Sequence, residues 1–208
     1  LGDVYKRQIM TDQDSVTGDT PLLMRKDDEI IIDIIENLCS EWETAPNGKD
    51  YGLKSNDNKL QVWTEKGWTP IVHIMRHKTT KRLYRVLTNT GCVDVTEDHS
   101  LLTKAAEKVA PGTLRVGDTL LHKFPSAQAG SPFLTEEMKP MGYYKTKLDA
   151  MKAYYDARMM GTYPIVSLHF EAGETLYRLA PRGLTGSIHE DDVVVSIIDL
   201  GTTTDYVY

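Results

Sequence analysis

The sequence predicts a mostly β fold of short hairpins, a barrel or a sandwich, carrying a small α+β insertion. Three observations predict it. From Leu60 to Leu102 the hydrophobic period is two, in LQVWTEKGWTPIVHIM, RLYRVLTNTGCVDVT and HSLLT, all rich in Val, Ile, Thr, Trp and Tyr. Turn signals recur at close spacing, at Lys66-Gly67, Thr90-Gly91 and Gly117-Asp118. Between about 141 and 181 the style changes to one helix-spaced run followed by two strand-like runs.

In chain order, SVTGDTPLL (Ser15 to Leu23) places a Gly18-Asp19 turn between two extended pieces. KDDEIIIDIIENL follows, with Ile30, Ile31, Ile34, Ile35 and Leu38 at helical spacing and Asp27 or Asp28 as cap; a short amphipathic helix is expected. Asn47-Gly48 marks a turn, and the stretch to Asp57 reads as loop. After the hairpins, APGTLRVGDTLL holds a Pro-Gly turn and a further strand. Phe124 to Pro140 reads as a linker. In KTKLDAMKAYYDARMMG, residues Leu148, Met151, Tyr155 and Met159 form one stripe, and Gly161 is a C-terminal stop. YPIVSLHF and ETLYRLAP are two strands. The run from Asp191 returns to pure strand and sits outside the insertion.

The 208 residues allow one domain, or a small domain with an insertion. Hydrophobic residues at 40% exclude wholesale disorder. With 24 basic and 30 acidic side chains, the net charge of -6 makes a poor non-specific nucleic-acid binder. Cys39 and Cys92 are too few for a disulfide scaffold and suit an intracellular setting. No apolar run reaches about 18 residues, so no membrane partner is expected. The first Met is Met10 and the chain stops within a strand at Tyr208, so both ends read as the ends of a fragment.

Chemistry-bearing residues are sparse. Ser15, ahead of Gly18-Asp19-Thr20, is a weak nucleophile until a base or a strained bond activates it. Thr96 and His99, three apart in TEDHS after a strand, can aim a hydroxyl and an imidazole at one point. His73 and His77 have zinc-protease spacing but lack the intervening Glu and lie in a strand-like run.

Taken together, SVTGDTPLL, then TGCVDVTEDHSLL about 75 residues later, then LRVGDTLL, resemble the Hint (Hedgehog/intein) domain of inteins. Ser15 to Leu23 is similar to the N-terminal splicing motif. Gly91 to Leu102 is similar to the second, Gly…Thr-x-x-His-x-apolar. WTEKGWTPIVHIMRHKTTKRLYRVLTNTGCVDVTEDHSLL resembles inteins lodged in family B DNA polymerases, viral ones especially. The resemblance covers Ser15 to about Phe124 and Val193 to Tyr208.

It implies a horseshoe-like Hint barrel divided as follows: 1–14 host (extein) flank, 15–124 first part of the splicing domain, 125–187 an inserted α+β remnant, and 188–208 the start of its last part. The implied activity is autocatalytic splicing by an N–O acyl shift at Ser15, with an oxygen ester because Ser stands where most inteins have Cys. His99 then donates a proton to the Ser15 nitrogen and Thr96 holds the scissile peptide. Asp98 tunes His99 or is a plain turn carboxylate. Met10 to Asp14 before Ser15 is similar to the polymerase motif Tyr-x-Asp-Thr-Asp-Ser. On that reading Asp12 and Asp14 are host residues that bind Mg²⁺, the alternative being a solvated acidic turn. Splicing itself implies no cofactor. The implied partners are the flanking host polymerase segments and a complementary C-terminal intein segment that supplies the missing His-Asn; DNA is met only through the host polymerase. Localisation is intracellular, in a virus- or phage-infected cell.

The insertion lacks the Leu-Ala-Gly-Leu-Ile-Asp-Ala-Asp-Gly motif of homing endonucleases, as in a mini-intein. It is expected to lie outside the core. Lys145, Lys147, Lys152 and Arg158 offer phosphate contacts or a solvated face. Cys39 and Cys92 read as small hydrophobes, Cys92 alternatively as a redox-sensitive position. Two other functions compete: a non-splicing Hint autoprocessing module, and a homing-endonuclease-type DNA-binding protein.

Overall fold

The computed structural model describes residues 14–52, 59–126, 132–133, 142–181 and 191–208. It is mostly β, as the period-two segments predict. Its central sheet joins β8 (Arg82–Thr88), β9 (Cys92–Thr96), β12 (Thr119–Leu120) and β16 (Asp192–Thr202) in the order β12-β16-β8-β9. Thr90-Gly91 turns β8 into β9, and β16 returns from the far end of the chain to pair with β8. Inward-facing Val86, Val95, Leu114, Leu120 and Val194 are all buried. Each contributes about 1.5–3 kcal/mol against exposure.

Two further sheets flank this one. Strands β1 (Pro21–Lys26), β2 (Glu29–Ile34), β5 (Gln61–Thr64) and β6 (Gly67–Pro70) run in the order β2-β1-β5-β6. Strands β3 (Glu43–Thr44), β4 (Asp50–Gly52), β7 (Ile74–Lys78) and β17 (Tyr206–Val207) run in the order β17-β7-β4-β3. A short pair, β10 (Leu101–Leu102) and β11 (Lys108–Val109), follows the TEDHS turn.

The expected helix over 27–38 is a hairpin instead. Asp27 and Asp28 have φ of 47° and 67°, which makes them the two-residue turn between β1 and β2. Both φ values are positive, as a type I′ turn requires, and Asp tolerates that region. The Ile-rich run pairs as Leu23↔Ile32 and Met24↔Ile31, and only a short 3-10 turn, Ile35–Leu38, remains helical. β-branched side chains favour the pleated surface over helix, and a partner strand settled the competition. The 43–52 part of the expected loop likewise holds the β3–β4 hairpin, turning at Gly48 with φ 77°. The residues at 53–58 lie outside those described.

The insertion follows its predicted order: β13 (Gly142–Tyr144), α1 (Lys147–Met159), β14 (Pro164–Glu171) and β15 (Glu174–Pro181). Thr146 caps α1 by accepting from Asp149 N–H, and Gly161 stops it with φ 78°. The three strands form their own sheet, β13-β15-β14. They do not stand apart from the other strands, however. Leu87 of β8 is buried in one cluster with Tyr144, Ala153, Tyr154, Val166 and Leu179, with Cys92 and Phe124 against it. Tyr155 of α1 packs with Leu23 and Ile32. The insertion roofs the other sheets because α1 is apolar on more than one side: Tyr154 faces one cluster and Tyr155 the other.

Candidate functional site

Ser15, Val16 and Thr17 form a short extended piece between β9 and the end of the chain. On one side Thr96 N–H donates to Ser15 O (3.0 Å) and Thr17 N–H to Asp94 O (3.1 Å), with Val16 opposite Val95. On the other, Val16 and Tyr208 exchange backbone hydrogen bonds, and Thr17 is bridged to Val207. Val16 and Thr17 therefore lie beside Val207 and Tyr208. Gly18-Asp19 then turns the chain into β1, with Thr20 N–H donating to Thr17 O (3.1 Å).

Ser15 is 2% exposed and Thr96 is fully buried. The Ser15 N–H, which belongs to the Asp14–Ser15 peptide, donates to Thr96 Oγ1 at 3.3 Å. Thr96 Oγ1 also lies 3.4 Å from Ser15 O. Asp14 has φ 74°, left-handed for a non-glycine residue. Its carboxylate accepts from Ser100 N–H, which fixes that conformation. Asp tolerates that region better than most residues, and the bond to Ser100 holds it there.

Thr96 to Ser100 forms a turn closed by His99 N–H donating to Thr96 O (2.9 Å). This carries the His99 imidazole back over the Ser15 segment. Burial depresses the His99 pKa below its ordinary value; the Asp14 carboxylate, a hydrogen bond to the Ser15 backbone and Asp98 offset only part of that. His99 Nδ1 is buried and has no hydrogen-bond partner among the described residues. Asp98 bonds Lys81 Nζ (2.5 Å) rather than the imidazole. Burial raises its pKa, but hydrogen bonds from Lys81 and Thr96 outweigh that and hold it low. Its connection to the site therefore runs mainly through Thr96.

Four charged residues were not singled out from the sequence as site residues. Asp94 is 4% exposed and accepts from Arg85 through both oxygens, each at 2.8 Å. Lys147 from α1 also reaches Asp94 (2.8 Å), and at the same time Asp19 (3.0 Å). The signal was present in β9: in CVDVT, Cys92, Asp94 and Thr96 share a face, and a carboxylate on the face of a buried Thr needs a cation. Arg85 stands directly opposite it in β8. Lys147, expected as a phosphate contact or solvated group, is 5% exposed and turned inward. Arg158 stacks over Phe124 and Tyr163 at 4.5 Å and 4.4 Å.

Of the pair read as a host Mg²⁺ site, Asp12 lies outside the described residues and Asp14 is engaged with Ser100. Among the described residues no group of three or more His, Cys, Asp or Glu side chains is placed to hold a metal. No step below runs through a metal.

No family model matches the chain. Its sequence is similar to the DNA polymerase of Acanthamoeba polyphaga mimivirus, 45% identical over 124 residues, covering 55% of this chain and 7% of that protein. It is also similar to the DNA polymerases of Thermococcus litoralis (33% over 106 residues, 46% of this chain and 6% of that protein) and Thermococcus hydrothermalis (36% over 104 residues, 48% and 6%). The chain thus answers to less than a tenth of the length of each polymerase it matches. Among solved structures it is similar to the transcription factor IIB Mvu mini-intein (TM-score 0.46, 14% identity, 92% of this chain and 86% of that one). It is also similar to an intein from a hyperthermophile (TM-score 0.43, 14% identity, 93% and 97%). No helix among the described residues is long and apolar enough to cross a membrane.

Proposed function

We propose that this chain is the self-splicing segment of a DNA polymerase, and that splicing begins with an N–O acyl shift at Ser15. In that step Ser15 Oγ attacks the Asp14 carbonyl carbon, a C–O bond forms, and the C–N bond between Asp14 and Ser15 breaks. The Oγ proton passes to His99 and on to the departing Ser15 nitrogen, so one proton is conserved. A neutral imidazole suits that relay, and burial keeps His99 neutral near pH 7. Thr96 fixes the scissile N–H, and Asp14 is held in a left-handed conformation beside it. The observation that carries the reading is the clasp of the buried Ser15 amide by Thr96 in the same turn that carries His99.

The ester then waits for chemistry at the other junction. Val16 lies against Tyr208, so the chain that continues beyond Tyr208 enters at the same place. A complementary C-terminal segment would supply the residues of the second cleavage. The flanking host segments are the substrate, DNA is met only by the ligated polymerase in the infected cell, and Mg²⁺ belongs to that polymerase; splicing needs no cofactor.

The test is mass spectrometry of the intact chain with hydroxylamine, which cleaves esters. Release of residues 1–14 at Asp14–Ser15, absent in Ser15→Ala, is expected. A synthetic C-terminal segment of about 30 residues ending in His-Asn-Ser and a tag should then give a ligated product. Cleavage without ligation would move the reading to an autoprocessing module. A folded chain with no cleavage would overturn it.

A further inference from the structure

Lys147 connects the insertion to both strands of the site. Its ammonium sits between the Asp94 and Asp19 carboxylates, at 2.8 Å and 3.0 Å, on a side chain that is 3% exposed. Both aspartates also bond Thr17, Asp94 through its backbone carbonyl and Asp19 through its carboxylate. Thr17 N–H donates to Asp94 O, and Thr17 Oγ1 to Asp19 Oδ1 at 2.6 Å. The residues two further along each strand are Ser15 and Thr96, the pair that meets at the scissile amide. Arg85 holds the other side of Asp94 through a two-pronged contact, leaving Lys147 as the group that reaches across from β9 to the Ser15 segment.

We propose that Lys147 is a positioning residue for the first splicing step: the insertion, through this one ammonium, sets the register of Ser15 against Thr96. The inference rests on the acyl-shift reading above. It gives the helix–hairpin insertion a part in splicing in place of that of a leftover. Register matters here because the Ser15 segment is short. It has two bridged residues, Val16 and Thr17, and a strand so brief has little backbone pairing to resist a slip. A cation shared by Asp94 on β9 and Asp19 in the turn after Thr17 adds a restraint that backbone bonds alone do not give. Helix α1 delivers it rigidly, because Lys147 is its first residue and the helix is capped by Thr146 and packed through Ala150, Ala153 and Tyr154.

The experiment uses the chain as it stands and reads the rate of hydroxylamine-dependent release of residues 1–14. Lys147→Met keeps the length and loses the charge; the rate is expected to fall on the order of tenfold or more, as for a small misplacement of reacting groups. Lys147→Arg, which retains the cation, should recover most of it. Val166→Ala loosens the insertion core without touching the ion pairs. At matched stability, set with urea, it should leave the rate within about twofold. If Val166→Ala slows release as much as Lys147→Met, Lys147 acts through the fold alone and the inference fails. Should Lys147→Met not fold, Asp19→Asn decides. It removes the charge facing Lys147, keeps an acceptor for Thr17 Oγ1, leaves Lys147 on Asp94, and should slow release several-fold; an unchanged rate overturns the inference. Loss of release in the unmodified chain would instead sink the acyl-shift reading itself.

Discussion

Val16 and Tyr208 are joined by two backbone hydrogen bonds, N to O in each direction and both 2.9 Å, which binds the residue after Ser15 to the far end of the sequence. Gly18 makes that approach possible. A Cβ there would meet the Glu36 carboxylate and lie 2.9 Å from the Tyr208 ring. Gly18 is thus needed for closeness and not for a positive φ. Gly18→Ala is expected to cost about 1–3 kcal/mol in urea unfolding, the usual range for overpacking. It should also weaken capture of a synthetic C-terminal segment, since the Tyr208 ring must move. Retention of wild-type stability would show that Glu36 and Tyr208 yield freely.

Thr96→Val keeps the shape of the side chain and deletes the acceptor for the Ser15 N–H. Val95 and the rest of the buried face are untouched. The orphaned N–H is expected to cost about 1–3 kcal/mol, and release of residues 1–14 should fall by at least tenfold. Thr96→Ser, which keeps the hydroxyl, should retain most of the rate. Equal rates in the Val and Ser variants would remove Thr96 from the mechanism.

The splicing segment and the TEDHS turn were legible because each is local: a turn pair after two extended residues, and a Thr and His three apart. The order β8, β9 and the 147–159 helix with its hairpin were legible for the same reason, from period and turn chemistry. The Ile30 to Leu38 run was misread because Ile repeats at both periods. What decided for strand was Leu23 and Met24 on a partner strand, together with an Asp27-Asp28 turn that also resembles a helix cap. The charged web was invisible for a different reason. Asp94 and Lys147 are 53 positions apart, and only the packing of Tyr144, Tyr154 and Leu179 onto Leu87 brings them together. A lysine at the start of a helix reads as solvated until the fold buries it.

Cys92 should be chemically quiet. Burial, aided by Asp94, pushes its thiol up to about 11, outweighing the nearby Lys147 and Arg85 cations. At about pH 7.5 little thiolate forms, so alkylation by iodoacetamide is expected at Cys39 and not at Cys92 in the folded chain, with both labelled in urea. Mass spectrometry of tryptic peptides reads this directly. Rapid labelling of Cys92 in the folded state would restore the redox-sensitive reading.

The His99 pKa lies below its ordinary value, and the relay needs the neutral ring. The rate of release of residues 1–14 should therefore be flat from about pH 7 to 8. It should then fall on acidification with a midpoint under about 6.5, the unperturbed His value. His99→Gln should be slow at every pH and show no inflection there. A rate that rises as the pH drops would mean that the imidazolium, and not the imidazole, enters the step.

Asp94 is a buried carboxylate on which two cations converge. Burial raises its pKa, but Arg85 and Lys147 outweigh that and hold it below the ordinary value. A depressed carboxylate stabilises the fold above its unfolded pKa of about 3.9 and loses that contribution as the pH falls through the folded value. Lys147 has the opposite sign. Burial pulls its pKa down, Asp94 and Asp19 raise it further, and the net rise means its share is complete below about 10.4 and lost at higher pH. Between those limits Asp94→Asn should cost about 3–5 kcal/mol, because two buried cations lose their shared anion. Urea melts of both proteins from about pH 2 to 8 check this: the gap should be constant from about pH 5 upward and close as the pH approaches about 2. A gap that persists at the acid end would mean that the substitution damages packing rather than charge balance.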